Sequence, residues 1–327
     1  MKIVALLLSF ISMSLSAETI YEVKGFSDKY FAKIIINDDS SNDYFTEGQI
    51  AIFDADTNDE IVSVMSQALS FSFDESIDLT SGVKGLYDEQ NGSIISQDFN
   101  FDGKKDIARM AGRLSCYGGP SFQVYLELNN TLKHSPEFTR LAQEYCGMFS
   151  VDEKTKTIST ATKSGCCWHQ FSDFKIENNI PVAIKIIERR VGAEGITLNY
   201  VEKTRVGNEL IEKKYSSLLE NVDLTELYSA TFKNDKKMTL YSAFDEENLL
   251  YIFADKDEKI ELMYYEEFTL DAMKKTLSFN YRNTKYQVHS DGIKISLPSK
   301  NINISAIQTK GNLSDLSLLS VNNLTVK

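Results

Sequence analysis

Alternation of apolar and polar residues restricts this chain more than any other feature. Ile61-Val62-Ser63-Val64, Leu69-Ser70-Phe71-Ser72-Phe73, Phe122-Gln123-Val124-Tyr125-Leu126-Glu127-Leu128 and Val182-Ala183-Ile184-Lys185-Ile186-Ile187 repeat with a period of two and are rich in β-branched and aromatic residues. A strand sends successive side chains to opposite faces, so this period predicts sheet and disfavours helix. Turn signals fall between the strands at Asn91-Gly92, Asp102-Gly103, Gly118-Gly119-Pro120 and Asn178-Asn179. One segment differs: Ser135 can cap a helix, Pro136 suits its first position, and Phe138, Leu141, Ala142 and Tyr145 form one apolar face before Gly147. The expected fold is mainly β: an antiparallel sheet, a barrel or a propeller-like N-terminal domain with one short helix.

Strand patterns continue through Ile196-Thr197-Leu198-Asn199-Tyr200-Val201 and Leu210-Ile211-Glu212-Lys213-Lys214-Tyr215, which complete the first domain. Beyond the polar stretch 216–223 a second set includes Met238-Thr239-Leu240-Tyr241, Leu250-Tyr251-Ile252-Phe253, Ile260-Glu261-Leu262-Met263-Tyr264-Tyr265, Leu277-Ser278-Phe279 and Tyr286-Gln287-Val288. This reading places a β-rich domain over 18–220 and a smaller C-terminal β domain over 221–327. With 42% hydrophobic residues and only 4 prolines, the chain can bury a core in each.

Met1-Lys2 followed by the apolar run Ile3 to Ile11 and the small residues Ser14-Leu15-Ser16-Ala17 reads as a secretory signal peptide over 1–17. The run is shorter than the roughly 20 residues that span a bilayer, so no membrane span is expected. Its removal takes away Lys2 and no acid, leaving 34 basic against 47 acidic residues and a formal charge of −13. That balance argues against nucleic acid as a partner and favours fast association with basic proteins. The expected location is periplasmic or secreted, where disulfides persist.

Oxygen-bearing side chains alternate around one glycine in Asp98-Phe99-Asn100-Phe101-Asp102-Gly103-Lys104-Lys105-Asp106. Hard cations take six to eight oxygen ligands, and alternation aims Asp98, Asn100 and Asp102 at one centre while Phe99 and Phe101 turn away. The Lys104 carbonyl can add a neutral ligand and Asp106 can close the cage. Calcium is the expected cofactor. The position where a helix-loop-helix hand carries its bidentate glutamate holds Arg109, which cannot ligate. Closure at Asp106 before Ile107-Ala108 instead resembles the compact loops of integrin-type FG-GAP repeats, which implies a site in a β-hairpin.

Cys116, Cys146, Cys166 and Cys167 suggest two disulfides. On an extended segment the adjacent pair would face opposite ways, so Cys166 and Cys167 are expected in separate bridges, one to Cys116 and the other to Cys146. Catalytic motifs are missing: there is no His-Glu-x-x-His, no Gly-x-Ser-x-Gly and no phosphate-cradling glycine loop. His169, beside Trp168 and with Asp173 to orient it, is the best general-base candidate, but a structural histidine is the better reading. No enzyme activity is expected.

The metal loop, Cys116-Tyr117-Gly118-Gly119-Pro120-Ser121-Phe122, the helix, Gly147-Met148-Phe149-Ser150-Val151-Asp152 and Ser164-Gly165-Cys166-Cys167-Trp168-His169 together resemble a family. These are the periplasmic calcium-loop proteins that act as immunity factors against lysozyme-like effectors of type IV secretion. The resemblance covers roughly residues 80 to 190 and implies calcium at Asp98, Asn100, Asp102 and Asp106, with a basic peptidoglycan hydrolase as partner. The C-terminal strands around Lys259-Ile260-Glu261-Leu262, Thr276-Leu277-Ser278-Phe279 and Lys285-Tyr286-Gln287-Val288-His289 look like those of small bacterial lysozyme-inhibitor barrels. The alternative function is a calcium-stabilised structural or binding module of the envelope.

Overall fold

The computed structural model describes residues 18–37, 46–69, 92–244 and 246–327. The expected signal peptide, most of the expected strand 69–73 and Asn91 lie outside them. The described residues form five sheets, built almost wholly from strands consecutive in sequence. β1 (Glu18–Val23), β2 (Tyr30–Asn37), β3 (Thr46–Asp54) and β4 (Glu60–Leu69) make the first, and β5 (Ile94–Gln97), β6 (Asp106–Ser115), β7 (Gly119–Leu128) and β8 (Thr131–His134) the second. After the helix α1 (Pro136–Leu141), the third contains β9 (Ser150–Asp152), β10 (Thr157–Ser164), β11 (Trp168–Glu177), β12 (Ile180–Val191), β13 (Thr197–Val206) and β14 (Glu209–Leu218). β15 (Thr225–Thr231), β16 (Lys237–Ala243), β17 (Asn248–Ala254) and β18 (Ile260–Tyr264) form the fourth. β19 (Phe268–Asp271), β20 (Thr276–Tyr281), β21 (Thr284–His289), β22 (Gly292–Ser296) and β23 (Asn301–Ser305) form the fifth. β24 (Gln308–Gly311) then joins the fourth beside β15, and β25 (Leu324–Val326) runs parallel to β19 in the fifth. Every one of these sheets is open, so the barrel alternative is corrected to a series of open antiparallel meanders.

Two compact units divide the chain: 1–187 with 203–211, and 188–202 with 212–327. The divisions fall within β12, β13 and β14, upstream of the single boundary at 220 read from the sequence. In the first unit the β5–β8 sheet is buried on both faces. Ile94, Ile107, Tyr125 and Leu132 pack with Ile34, Ile50 and Ile52 of the first sheet, while Ile95, Ala108, Val124 and Leu126 pack with Phe138, Leu141, Ile158 and Phe174. Register puts Ile107 opposite Tyr125 and Ala108 opposite Val124, so adjacent residues feed different cores. In the second unit, β15–β17 and β19–β22 share a core that includes Tyr228, Leu240, Tyr251, Leu277, Phe279 and Val288.

Helix α1 begins as expected, with the Ser135 hydroxyl accepting from Phe138 N at 3.4 Å. It ends at Leu141, short of Tyr145. Cys146 N donates to Ala161 O at 2.8 Å, and Cys146 is bridged to Cys116, so the chain is drawn to β10 before another turn can form. The remaining pair, Cys166 and Cys167, bridge each other. This corrects the expectation of separate bridges. Gly165-Cys166-Cys167 is the turn between β10 and β11, with Gly165 at φ 62°, and the extended geometry that would part adjacent side chains is missing there. Non-reducing peptide mapping is expected to return the Cys116 peptide joined to the Cys146 peptide, with the Cys166-Cys167 peptide lighter by two hydrogens than its reduced form. A peptide joining Cys116 or Cys146 to either of the other two would contradict this pairing.

Candidate functional site

Residues 98–105 connect β5 to β6, whose register pairs Gln97 with Asp106, so the candidate metal loop closes a β-hairpin. Side-chain oxygens wrap its turn. Asp102 N donates to Asp98 Oδ1 at 3.1 Å and to Asn100 Oδ1 at 3.2 Å, Gly103 N donates to Asp98 Oδ2 at 2.8 Å, and Lys104 N donates to Asp102 Oδ1 at 2.9 Å. The turn requires Gly103 at φ 88° and tolerates Phe101 at φ 62°. Phe99 is buried and meets the Phe149 ring edge-on at 5.3 Å, which anchors the loop in the core. The amide of Asn100 donates to Asp102 Oδ2 at 3.2 Å and to Asn179 Oδ1 at 3.0 Å, tying the loop to the β11–β12 turn.

Asp106 stands differently from the other acids. It is fully buried, its Oδ2 accepts from Phe99 N at 2.8 Å and its Oδ1 from Glu127 N at 2.8 Å. Burial pushes its carboxyl up to about 7, against the lowering effect of those two N–H groups, and the nearby Asp102 and Asp98 charges push the same way as burial. Each oxygen keeps a second lone pair. A cavity of about 330 Å³ beside the loop is lined by Ser96, Gln97, Asp98, Lys104, Lys105 and Glu153 among others, giving Asp98 access to solvent. Arg109 is also fully buried: its guanidinium donates to the Met110 carbonyl and to Gln123 Oε1, and its Nε has no partner. Burial holds its pKa below the ordinary arginine value.

His169 and Asp173 are not brought together. They lie four residues apart on β11, about 13 Å along an extended strand, and Asp173 accepts instead from the Ser159 hydroxyl at 2.7 Å.

Two further residues escaped the sequence reading. Leu114 and Tyr117, at the β6–β7 connection, are 65% and 66% exposed although large and apolar. The tip is braced: Cys116 is bridged to Cys146, the Ser115 hydroxyl donates to Tyr145 O and accepts from Gly147 N, each at 2.6 Å, and Gly165 N donates to the Tyr117 hydroxyl at 2.6 Å. The exposed Cys166–Cys167 turn therefore adjoins it. Only the Cys-Tyr-Gly-Gly-Pro sequence, an aromatic inside a turn signal, hinted at such a tip.

No protein family model matches the chain, and no curated protein matches it. Among solved structures it is similar to a Xanthomonas Type IV Secretion System related protein, at 20% identity over 61% of this chain and 94% of that one, with a TM-score of 0.45. It is also similar to prolyl oligopeptidase B from Galerina marginata, at 8% identity over 90% and 43% of the two chains with a TM-score of 0.24. TolB from Acinetobacter baumannii follows at 11% identity over 88% and 66%, with a TM-score of 0.21. These likenesses assign no family and no activity. No helix among the described residues is long and apolar enough to cross a membrane.

Proposed function

We propose that this is a periplasmic or secreted calcium-loop protein that binds and inhibits a basic, lysozyme-like peptidoglycan hydrolase. The observation that carries protein binding is the braced tip. An exposed aliphatic and an exposed aromatic side chain on a connection held by a disulfide and the Ser115 hydrogen bonds lose little conformational entropy on docking, which is what a hot spot in an inhibitor requires. The partner's identity comes from the sequence resemblance and from the acidic charge, which would steer a basic enzyme at long range.

Calcium belongs to the same proposal as a stabilising ion. Among the described residues no three His, Cys, Asp or Glu side chains by themselves make a metal group. The set would need the Asn100 amide oxygen and the Lys104 carbonyl beside Asp98, Asp102 and the remaining lone pairs of Asp106, a mixture typical of calcium rather than of zinc. Bound there, the ion would offset the mutual repulsion of the three carboxylates and hold the hairpin closed.

The test is turbidity loss of a peptidoglycan suspension by basic muramidases with and without the protein. Inhibition is expected, with an association rate that falls as salt rises because steering is screened over about 8 Å at physiological ionic strength. Leu114→Ala with Tyr117→Ala should weaken inhibition by about tenfold or more with only the small change in melting temperature usual at an exposed position. Tyr117→Phe, which removes only the hydroxyl bonded to Gly165 N, reads the contribution of that brace separately. If no muramidase in the panel forms a complex at micromolar concentration, the envelope-module reading takes its place.

A further inference from the structure

The second unit holds a cleft of about 780 Å³ on the outer face of the β19–β21 sheet, remote in sequence from the metal loop and independent of the proposal above. Register explains its floor. Thr269 pairs with Ser278 and Ser278 with Gln287, Asp271 pairs with Thr276, and Asn280 pairs with Lys285, so these side chains project from one face. The intervening Leu270, Leu277, Phe279 and Val288 are buried on the other face. The outer face of any half-buried sheet is polar, but this one is recessed, and its floor carries the hydroxyls and amides of Thr269, Thr276, Ser278, Asn280 and Gln287 within a lining that also holds charges of both signs. Thr276 is buried, its hydroxyl shared with His289 Nδ1 at 3.1 Å, and Ser278 and Gln287 are half-buried.

Hydrogen-bonding capacity on this floor is left over. The side chains of Gln287 and Asn280 bond no described residue, so a partly desolvated amide faces the cleft with both a donor and an acceptor unused. Around it the rim carries both signs, Glu266, Glu267 and Asp271 against Lys274, Lys285 and Lys327, and Lys274 is already paired with Asp271 at 3.0 Å. A ligand of strong net charge would meet like charge on part of that rim. One with large apolar side chains would find little to pack against, since Tyr264 and Phe279, the aromatic residues of the lining, are almost wholly buried. What fits is a neutral ligand whose groups both donate and accept, at close spacing, over a length of several hydroxyls.

We propose that this cleft binds a neutral oligosaccharide chain, with Gln287, Asn280, Ser278 and Thr269 supplying the hydrogen bonds. Without an exposed aromatic platform the affinity is set by hydrogen bonds alone, so binding is weak and selective for neutral sugars.

Isothermal titration of the full secreted chain with three tetrasaccharides tests this: fully N-acetylated chitotetraose, which is neutral; its de-N-acetylated, cationic form; and an anionic oligogalacturonate. Saturable binding of the neutral probe is expected, with both charged probes weaker by at least about tenfold. Gln287→Ala combined with Asn280→Ala should weaken the neutral probe by about tenfold or more at an unchanged melting temperature, whereas Met273→Ala, at a position 93% exposed outside the cleft, should not. Failure of all three probes to bind at millimolar concentration overturns the proposal. So does a charged probe binding more tightly than the neutral one, or a double variant that binds as well as the parent.

Discussion

Asp106→Ala is expected to destabilise the calcium-free protein by about 2 to 6 kcal/mol, far more than removal of either other acid of the loop. The reason is burial. Its two oxygens satisfy Phe99 N and Glu127 N inside the core, and alanine would leave both donors dry and unpaired, at about 1 to 3 kcal/mol each. Asp98 and Asp102 accept their hydrogen bonds at the exposed side of the loop, where water replaces a lost acceptor. In chelator, Asp98→Ala and Asp102→Ala should therefore stay within about 1 kcal/mol of the parent. In calcium they should lose the stabilisation that binding gives, about 2.7 kcal/mol when the ion is at a hundred times its dissociation constant. Urea unfolding of the three variants with and without chelator separates the roles. If Asp106→Ala in chelator unfolds at the parent's urea midpoint, its two hydrogen bonds do not hold the hairpin.

That contrast also shows where sequence reasoning reaches its limit. Alternation located the strands because it reports one buried face, as in Leu277-Ser278-Phe279, where Leu277 and Phe279 are core and Ser278 faces the cleft. It placed strands such as those over 122–128 and 250–253 but did not show that they are buried on both faces. Leu249-Leu250-Tyr251-Ile252 has no period at all, since Leu249 and Tyr251 enter one core and Leu250 and Ile252 another. Ile107-Ala108-Arg109-Met110 conceals a fully buried guanidinium that no local pattern marks as internal.

The hairpin loop at 98–105 was legible because its oxygen-bearing residues are adjacent in sequence. Non-local partners were not. Asn178-Asn179 reads correctly as a turn, with φ of 53° and 63°, but its hydrogen bond to Asn100 spans 79 residues. The same holds for the cleft of the second unit, whose floor comes from register across three strands. Asp106 gave no local sign of its second role, because the backbone N–H it also holds belongs to Glu127, 21 residues away.

Replacement of both Cys116 and Cys146 by serine is expected to cost about 3 to 4 kcal/mol, whereas the Cys166→Ser, Cys167→Ser double variant should cost close to nothing. A disulfide acts mainly by restricting the unfolded chain, and the restriction grows with the loop it closes. The first bridge spans 30 residues and encloses β7, β8 and α1; the second spans one. Paired replacement avoids leaving a lone thiol to exchange. Denaturant unfolding of the two double variants under oxidising conditions measures the difference directly. The crossed pairing would give long loops to both bridges and comparable losses in both variants, so similar midpoints would refute the vicinal arrangement. Where the losses differ as expected, the Cys166–Cys167 variant keeps its fold while its exposed turn, next to Tyr117, is loosened. A selective fall in muramidase inhibition by that variant would then locate the contact at the braced tip, because global stability would be unchanged.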